Sequence, residues 1–207
     1  MTPVARIDHV LYGVQDLDLA AGRLEADHGL VAAGGGSHGE LGTANRLIPL
    51  GDQYLELITV ADPASQHPLA VVLGAWIAEG DRFFSMAIEV DDVEATADRL
   101  GSSVLDGTRT GPHNARVNFR LAGFETALAE QVPFFIEWGE GREHRLPAPG
   151  AAANPNAHGV AWVELGGDVE RVRAWLGEDV EGVRLVGGEP GIRAMAVATN
   201  DGEVVIS

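Results

Sequence analysis

The chain has no cysteine and no lysine among its 207 residues. The first absence excludes disulfides, thiolate nucleophiles and cysteine metal sites. The second excludes Schiff-base chemistry, because all 14 cations are arginines. No apolar run reaches the roughly 18 residues that a membrane-spanning helix needs. Residues 1–6 lack the basic stretch and apolar core of a signal peptide, so a cytoplasmic setting is expected. Positive charge is scarce: 31 acids against 14 arginines leave −17. Such a field repels phosphate backbones and anionic membrane surfaces, so neither nucleic acid nor membrane is an expected partner. The acids are scattered rather than blocked, which reads first as surface solubility. Apolar residues make up 45% of the chain, and its length allows a substantial core.

What is present is an internal repeat. Residues 6–16 read RIDHVLYGVQD, a buried-strand pattern. Asp16 or Asp18 caps a following helix with Leu17, Ala20, Ala21 and Leu24 at helical spacing, and Gly29 stops it. A glycine-rich turn at 34–36 precedes two strand runs, 45–50 and 54–60, split by Gly51 and Asp52. The order recurs. Residues 83–92 read FFSMAIEVDD, Asp92 opens a helix ending at Gly101, and 116–121 and 133–138 are strand-like. Placing Asp16 on Asp92 registers the beginnings of the two copies, and placing Glu56 on Glu137 registers their ends. A short helix is expected over 122–131. A third, shorter copy spans 158–207, with a strand, a helix from Asp168 to its stop at Gly177, and three more strands.

The boundaries follow. Module 1 covers 1–61, a connector with a helix over 69–78 covers 62–80, and module 2 covers 81–139. A proline- and alanine-rich linker covers 140–156, and the third βαβββ-like module covers 157–207. The fold class is α+β. Paired βαβββ modules form a curved, cup-shaped mixed sheet with helices outside, a shape that suits a small-molecule ligand. Val160, Trp162, Trp175, Val183, Val197 and Val205 are too many large apolar groups for the third module to cover alone. It should therefore pack on the other two, in cis or across a homodimer.

Residues 7–10, IDHV, the run GTANRLIPLG from Gly42, the run YLELI from Tyr54 and the run VPFFIEW from Val132 resemble the glyoxalase-like branch of the vicinal oxygen chelate superfamily. The resemblance implies a divalent metal (iron, manganese, zinc or nickel) held by residues at module strands. The implied positions here are His9, Glu56, Ser85 and Glu137. Ser85 is a poor donor beside imidazole and carboxylate, which leaves His9, Glu56 and Glu137 as the metal set. Glu56 and Glu137 are also the catalytic candidates, and the three are expected to converge.

Each candidate also has a plainer reading. His9 shares a strand face with Ile7 and Leu11 by alternation, as a ligand, as a base or as a hydrogen-bonded surface histidine. Glu56 and Glu137 lie inside apolar strands, where a carboxylate needs a partner of some kind. Arg116, Asn118 and Arg120 alternate on one face, either gripping an anionic substrate or lining a solvated edge. Asn45 and Arg46, after the glycine-rich turn, are substrate-contact or turn residues, and His38 sits on a rim loop as a further substrate contact. His158 reads as structural. His28, His67, His113 and His144 fall in helix ends or loops without metal spacing. No GxSxG elbow and no HExxH is present, so serine hydrolase and zinc protease readings fail. Two functions remain: a metal-assisted isomerase, lyase or dioxygenase, and a metal-free protein that binds or sequesters a small molecule.

Overall fold

The structure, a computed structural model, describes residues 5–110, 115–146, 153–177 and 179–207. His113 therefore lies outside the described residues, as do residues 147–152 of the 140–156 linker. The first module contributes β1 (Arg6–Gly13), α1 (Leu17–His28), β2 (Gly35–His38), β3 (Thr43–Leu50) and β4 (Gln53–Val60). A connector helix, α2 (Pro68–Ile77), leads to β5 (Arg82–Glu89), α3 (Val93–Leu100), β6 (Leu105–Thr110), β7 (Arg116–Ala122), α4 (Phe124–Glu130) and β8 (Phe134–Trp138). The last segment forms β9 (Ala157–Gly167), α5 (Val169–Leu176), β10 (Val183–Gly187), β11 (Gly191–Thr199) and β12 (Gly202–Ile206).

Local chemistry sets the helix ends. The carboxylates of Asp16, Asp92 and Asp168 accept from first-turn amides of α1, α3 and α5, and Gly29, Gly101 and Gly177 close those helices in the left-handed region. His67 caps α2 by accepting from the Leu69 amide, with Pro68 in the first turn. The glycine-rich stretch expected as a turn is instead the short edge strand β2 on β3. Gly35 has φ 129°, and a Cβ there would lie 2.2 Å from the Asn45 carbonyl oxygen, so only glycine lets the two strands approach. Strand β6, sequence LDGTRT, carries no apolar alternation. It forms because it is an edge strand registered on β7.

The eight-stranded sheet runs β2-β3-β4-β1-β5-β8-β7-β6, so each module pairs its first strand with its last, in parallel. The four-stranded sheet runs β10-β9-β11-β12. The third segment thus has the chain order of a module but not its strand order: β9 lies inside its sheet, between β10 and β11. One apolar cluster joins Ile7, Val10, Met86, Ile88 and Phe135 of the large sheet to Val163, Leu165, Met195, Val197 and Ile206 of the small one, with Ala20 and Leu24 of α1 and Val93 and Ala97 of α3. The other face of the large sheet carries a second cluster. There Leu69, Leu73 and Ile77 of α2 and Ala127 of α4 cover Leu11, Ile58, Phe84, Phe134 and Ile136.

Candidate active site

Two register breaks between β1 and β5 build the site. Ile7 faces Ile88 and His9 faces Ala87, so Asp8 is an extra residue in β1; Leu11 faces Ser85 and Tyr12 faces Phe83, so Phe84 is an extra residue in β5. A bulge changes which residues share a face. Ile7 therefore joins the α1–α3 side, not the side of His9 and Leu11 that simple alternation gives. Asp8 and His9, neighbours that an unbroken strand would send apart, meet side chain to side chain at 2.6 Å, both buried.

The Asp8 carboxylate is held by several donors. Its Oδ1 accepts from His9 Nδ1, its Oδ2 accepts from Trp138 Nε1 at 2.8 Å, and Arg145 Nε lies 3.9 Å away. Burial alone would raise this carboxyl, but the His9 hydrogen bond and charge, the Trp138 indole and Arg145 outweigh it and keep it below the ordinary value. An ionised Asp8 accepts the Nδ1 proton and leaves the Nε2 lone pair of His9 outward. Tyr54 stacks on the ring at 4.4 Å and Phe134 meets it edge-on at 5.9 Å. His9 Nε2 faces Glu56 Oε2 across 3.7 Å, just beyond hydrogen-bond reach. The other Glu56 oxygen accepts from Asn45 Nδ2 at 2.8 Å, and Asn45 Oδ1 accepts from the Gly36 amide. Ser85 shares this face through its pairing with Leu11, and its buried hydroxyl has no hydrogen-bond partner.

Glu137 does not join them. It sits on the opposite face, accepting from the Val93 amide at the start of α3 and from Arg120. The expected alignment of Glu137 with Glu56 is out of step. Leu11 pairs with Glu56, and the matching residue of module 2, Ala87, pairs with Phe134, three residues before Glu137. An odd shift along a strand reverses the face. The four related positions are therefore His9, Glu56, Ser85 and Phe134, and the last offers no donor atom. Among the described residues no group of three or more histidines and carboxylates is arranged to hold a metal ion. The divalent metal that the resemblance implies does not fit this donor set.

The other candidates separate by face. Arg116, Asn118 and Arg120 lie with Glu137 in a groove of about 420 Å³ on the α3 side, away from His9. Arg46 faces outward and pairs with Asp18 at 2.8 Å. His38, at the end of β2, bonds Thr43 Oγ1 at 3.1 Å. His158 meets Asn200 Oδ1 at the surface. Of the substrate candidates, Asn45 alone touches the His9–Glu56 pair directly. Sequence reasoning missed Asp8, which lies beside His9 in the chain, because alternation assigns it to the other face. It also missed Trp138 and Arg145, which have no local signal.

Residues 7–180 match the glyoxalase-like domain family. The chain belongs to that family. The fold agrees with the vicinal oxygen chelate resemblance, because two βαβββ modules share one curved mixed sheet. A hypothetical protein from Staphylococcus aureus, 16% identical, superposes on this glyoxalase-like chain with a TM-score of 0.60, covering 98% of this chain and 84% of that one. Methylmalonyl-CoA epimerase from Mycobacterium tuberculosis, 22% identical, gives 0.45 over 64% of this chain and 86% of that one. A Streptomyces coelicolor methylmalonyl-CoA epimerase variant in complex with 2-nitronate-propionyl-CoA, 23% identical, gives 0.46 over 65% and 96%. No curated protein matches the sequence. No helix among the described residues is long and apolar enough to cross a membrane.

Proposed function

We propose that this glyoxalase-like protein binds a small carbonyl compound on the face of the large sheet covered by α2 and α4, and moves a proton on it. The reaction class is isomerase or lyase. The observation that carries this is the Asp8–His9 pair with Nε2 turned toward a clamped Glu56. Asp8 orients the imidazole. Glu56, its other oxygen tied to Asn45, and His9 Nε2 stand as the two ends of a proton transfer, one taking a proton from a carbon beside the carbonyl and the other supplying one. The unfilled Ser85 hydroxyl is a donor for the substrate oxygen. The apolar cover from α2 and α4 keeps bulk water off the pair. No step passes through a metal, since only His9 and Glu56 of the four related positions are good ligands.

The test is exchange of carbon-bound protons in D₂O, followed by proton NMR over a panel of small oxo acids and thioesters. The wild type exchanges at least one of them, and E56Q and H9Q each lower the rate about 10²- to 10⁴-fold while still binding it. Full exchange by E56Q would remove Glu56 from the proton path. Tight binding with no exchange by the wild type would leave the sequestration role. Metal analysis of protein purified without chelator should find less than stoichiometric metal, and one tightly held ion per chain would overturn the metal-free reading.

A further inference from the structure

We infer that the substrate carries a carboxylate, and that Arg109 holds it at the Trp138 end of the same face. This rests on the proton-transfer reading for where the reacting carbon lies. Gly107 pairs with Phe119, Arg109 with Val117, and Phe119 with Trp138, so Arg109 projects to the side of Phe119 and Trp138. Its guanidinium lies 5.6 Å from the centre of the Trp138 ring. That indole also donates to Asp8, which makes Trp138 the joint between Arg109 and the Asp8–His9 pair.

The cations here are underused. Arg109 is half-buried and donates to the Arg145 carbonyl, yet it meets no carboxylate within 4.0 Å among the described residues. Arg145 donates one Nη to the Asp52 carbonyl, and its buried Nε has no hydrogen-bond partner, with Asp8 at 3.9 Å. A guanidinium has five N–H donors in a fork that matches a carboxylate. In a chain with 31 acids and 14 arginines, countercharge is abundant, so an arginine set apart from acids is an arrangement to account for. Both guanidiniums oppose the effect of Asp8 and Glu56 on the buried Tyr54 hydroxyl, which puts them within electrostatic reach of the floor of the site. Against a net charge of −17, this is a local positive focus beside the acid–base pair, and it selects for an anion.

The experiment compares short 2-oxo and 3-oxo carboxylates with their neutral primary amides, by thermal shift and by NMR titration of the full chain. At least one carboxylate should bind more tightly than its amide. R109Q should weaken carboxylate binding about 10- to 100-fold, the range for a lost hydrogen bond to a charged group, and leave the amide unchanged. R109K should recover part of the preference, and it serves as the test variant should R109Q fail to fold. E56Q should keep the preference; a wild type that shows the preference yet exchanges no carbon-bound proton sinks proton transfer and spares this inference. Acids and amides binding alike, no carboxylate binding at all, or a preference unchanged in R109Q and R109K would each overturn it.

Discussion

At the residue scale, the site depends on Asp8. A single inserted residue in β1 turns an aspartate that would face the α1–α3 core toward the α2–α4 face, beside His9. Its carboxyl is held below the ordinary value, so it gives the folded state stability that is fully present above the unfolded value, about pH 3.9, and is lost as pH falls through the lower folded value. Stability should therefore decline below about pH 4. In D8N that acid decline should be shallower, while the melting temperature at pH 7 should drop, because His9 and Trp138 lose a charged acceptor. Thermal melts of both proteins from pH 3 to 7 check this, and parallel acid limbs would show that other carboxylates set the decline. Glu137 teaches the converse. It is a carboxylate in an apolar strand with its needs met, but by a helix start and Arg120 rather than by a ligand.

At the element scale, side chains that bridge segments hold the third segment to the first. Gln53, at the start of β4, donates to the Ile7 carbonyl and accepts from the Val160 amide, both at 2.7 Å. Gly159 beside it has φ 143°, a conformation that favours glycine, and a Cβ there would press on the Gln53 Oε1. Buried Asn154 accepts from the Val31 amide and donates to the Val31 and Pro49 carbonyls, tying the segment before β9 to the loop after α1 and to β3. Alanine at 154 would leave those three backbone groups without partners. We expect N154A to cost about 3 kcal/mol, a fall of roughly 6–12 °C in melting temperature for a chain of this size. Differential scanning calorimetry decides it, and a loss under 2 °C would show that water or rearrangement replaces the side chain. Arg99 of α3 holds α5 in the same manner, donating to the carbonyls of Ala174, Trp175 and Leu176 at its end.

At the scale of the whole molecule, the two sheets share one apolar cluster, and neither side of it is complete without the other. Residues 1–150 expressed alone would expose Ile7, Val10, Met86 and Ile88, which the cluster buries with Val163, Met195 and Val197. That fragment should aggregate, or melt well below the full chain. A soluble, monomeric fragment with an unchanged melting temperature would make the third segment an independent appendage. The shared core is what frees the opposite face of the large sheet, under α2 and α4, to carry His9, Glu56 and Ser85.

The sequence by itself determined what short-range chemistry controls. The caps at Asp16, Asp92 and Asp168, the glycine stops, the connector helix and the order of the repeated strands follow from residues a few positions apart. His9 and Glu56 are marked by the family resemblance and the repeat register, and Asn45 by the family-like run that begins at Gly42. Only the tertiary structure decided which of them meet. Facing along a strand has a period of two, so one bulge or one three-residue misalignment reverses the answer, and such slips are set by pairing with distant strands. Asp8 thereby gained a place that alternation denied it, Glu137 lost the place that repeat alignment assigned it, and Phe134 took the position where a fourth ligand would have stood.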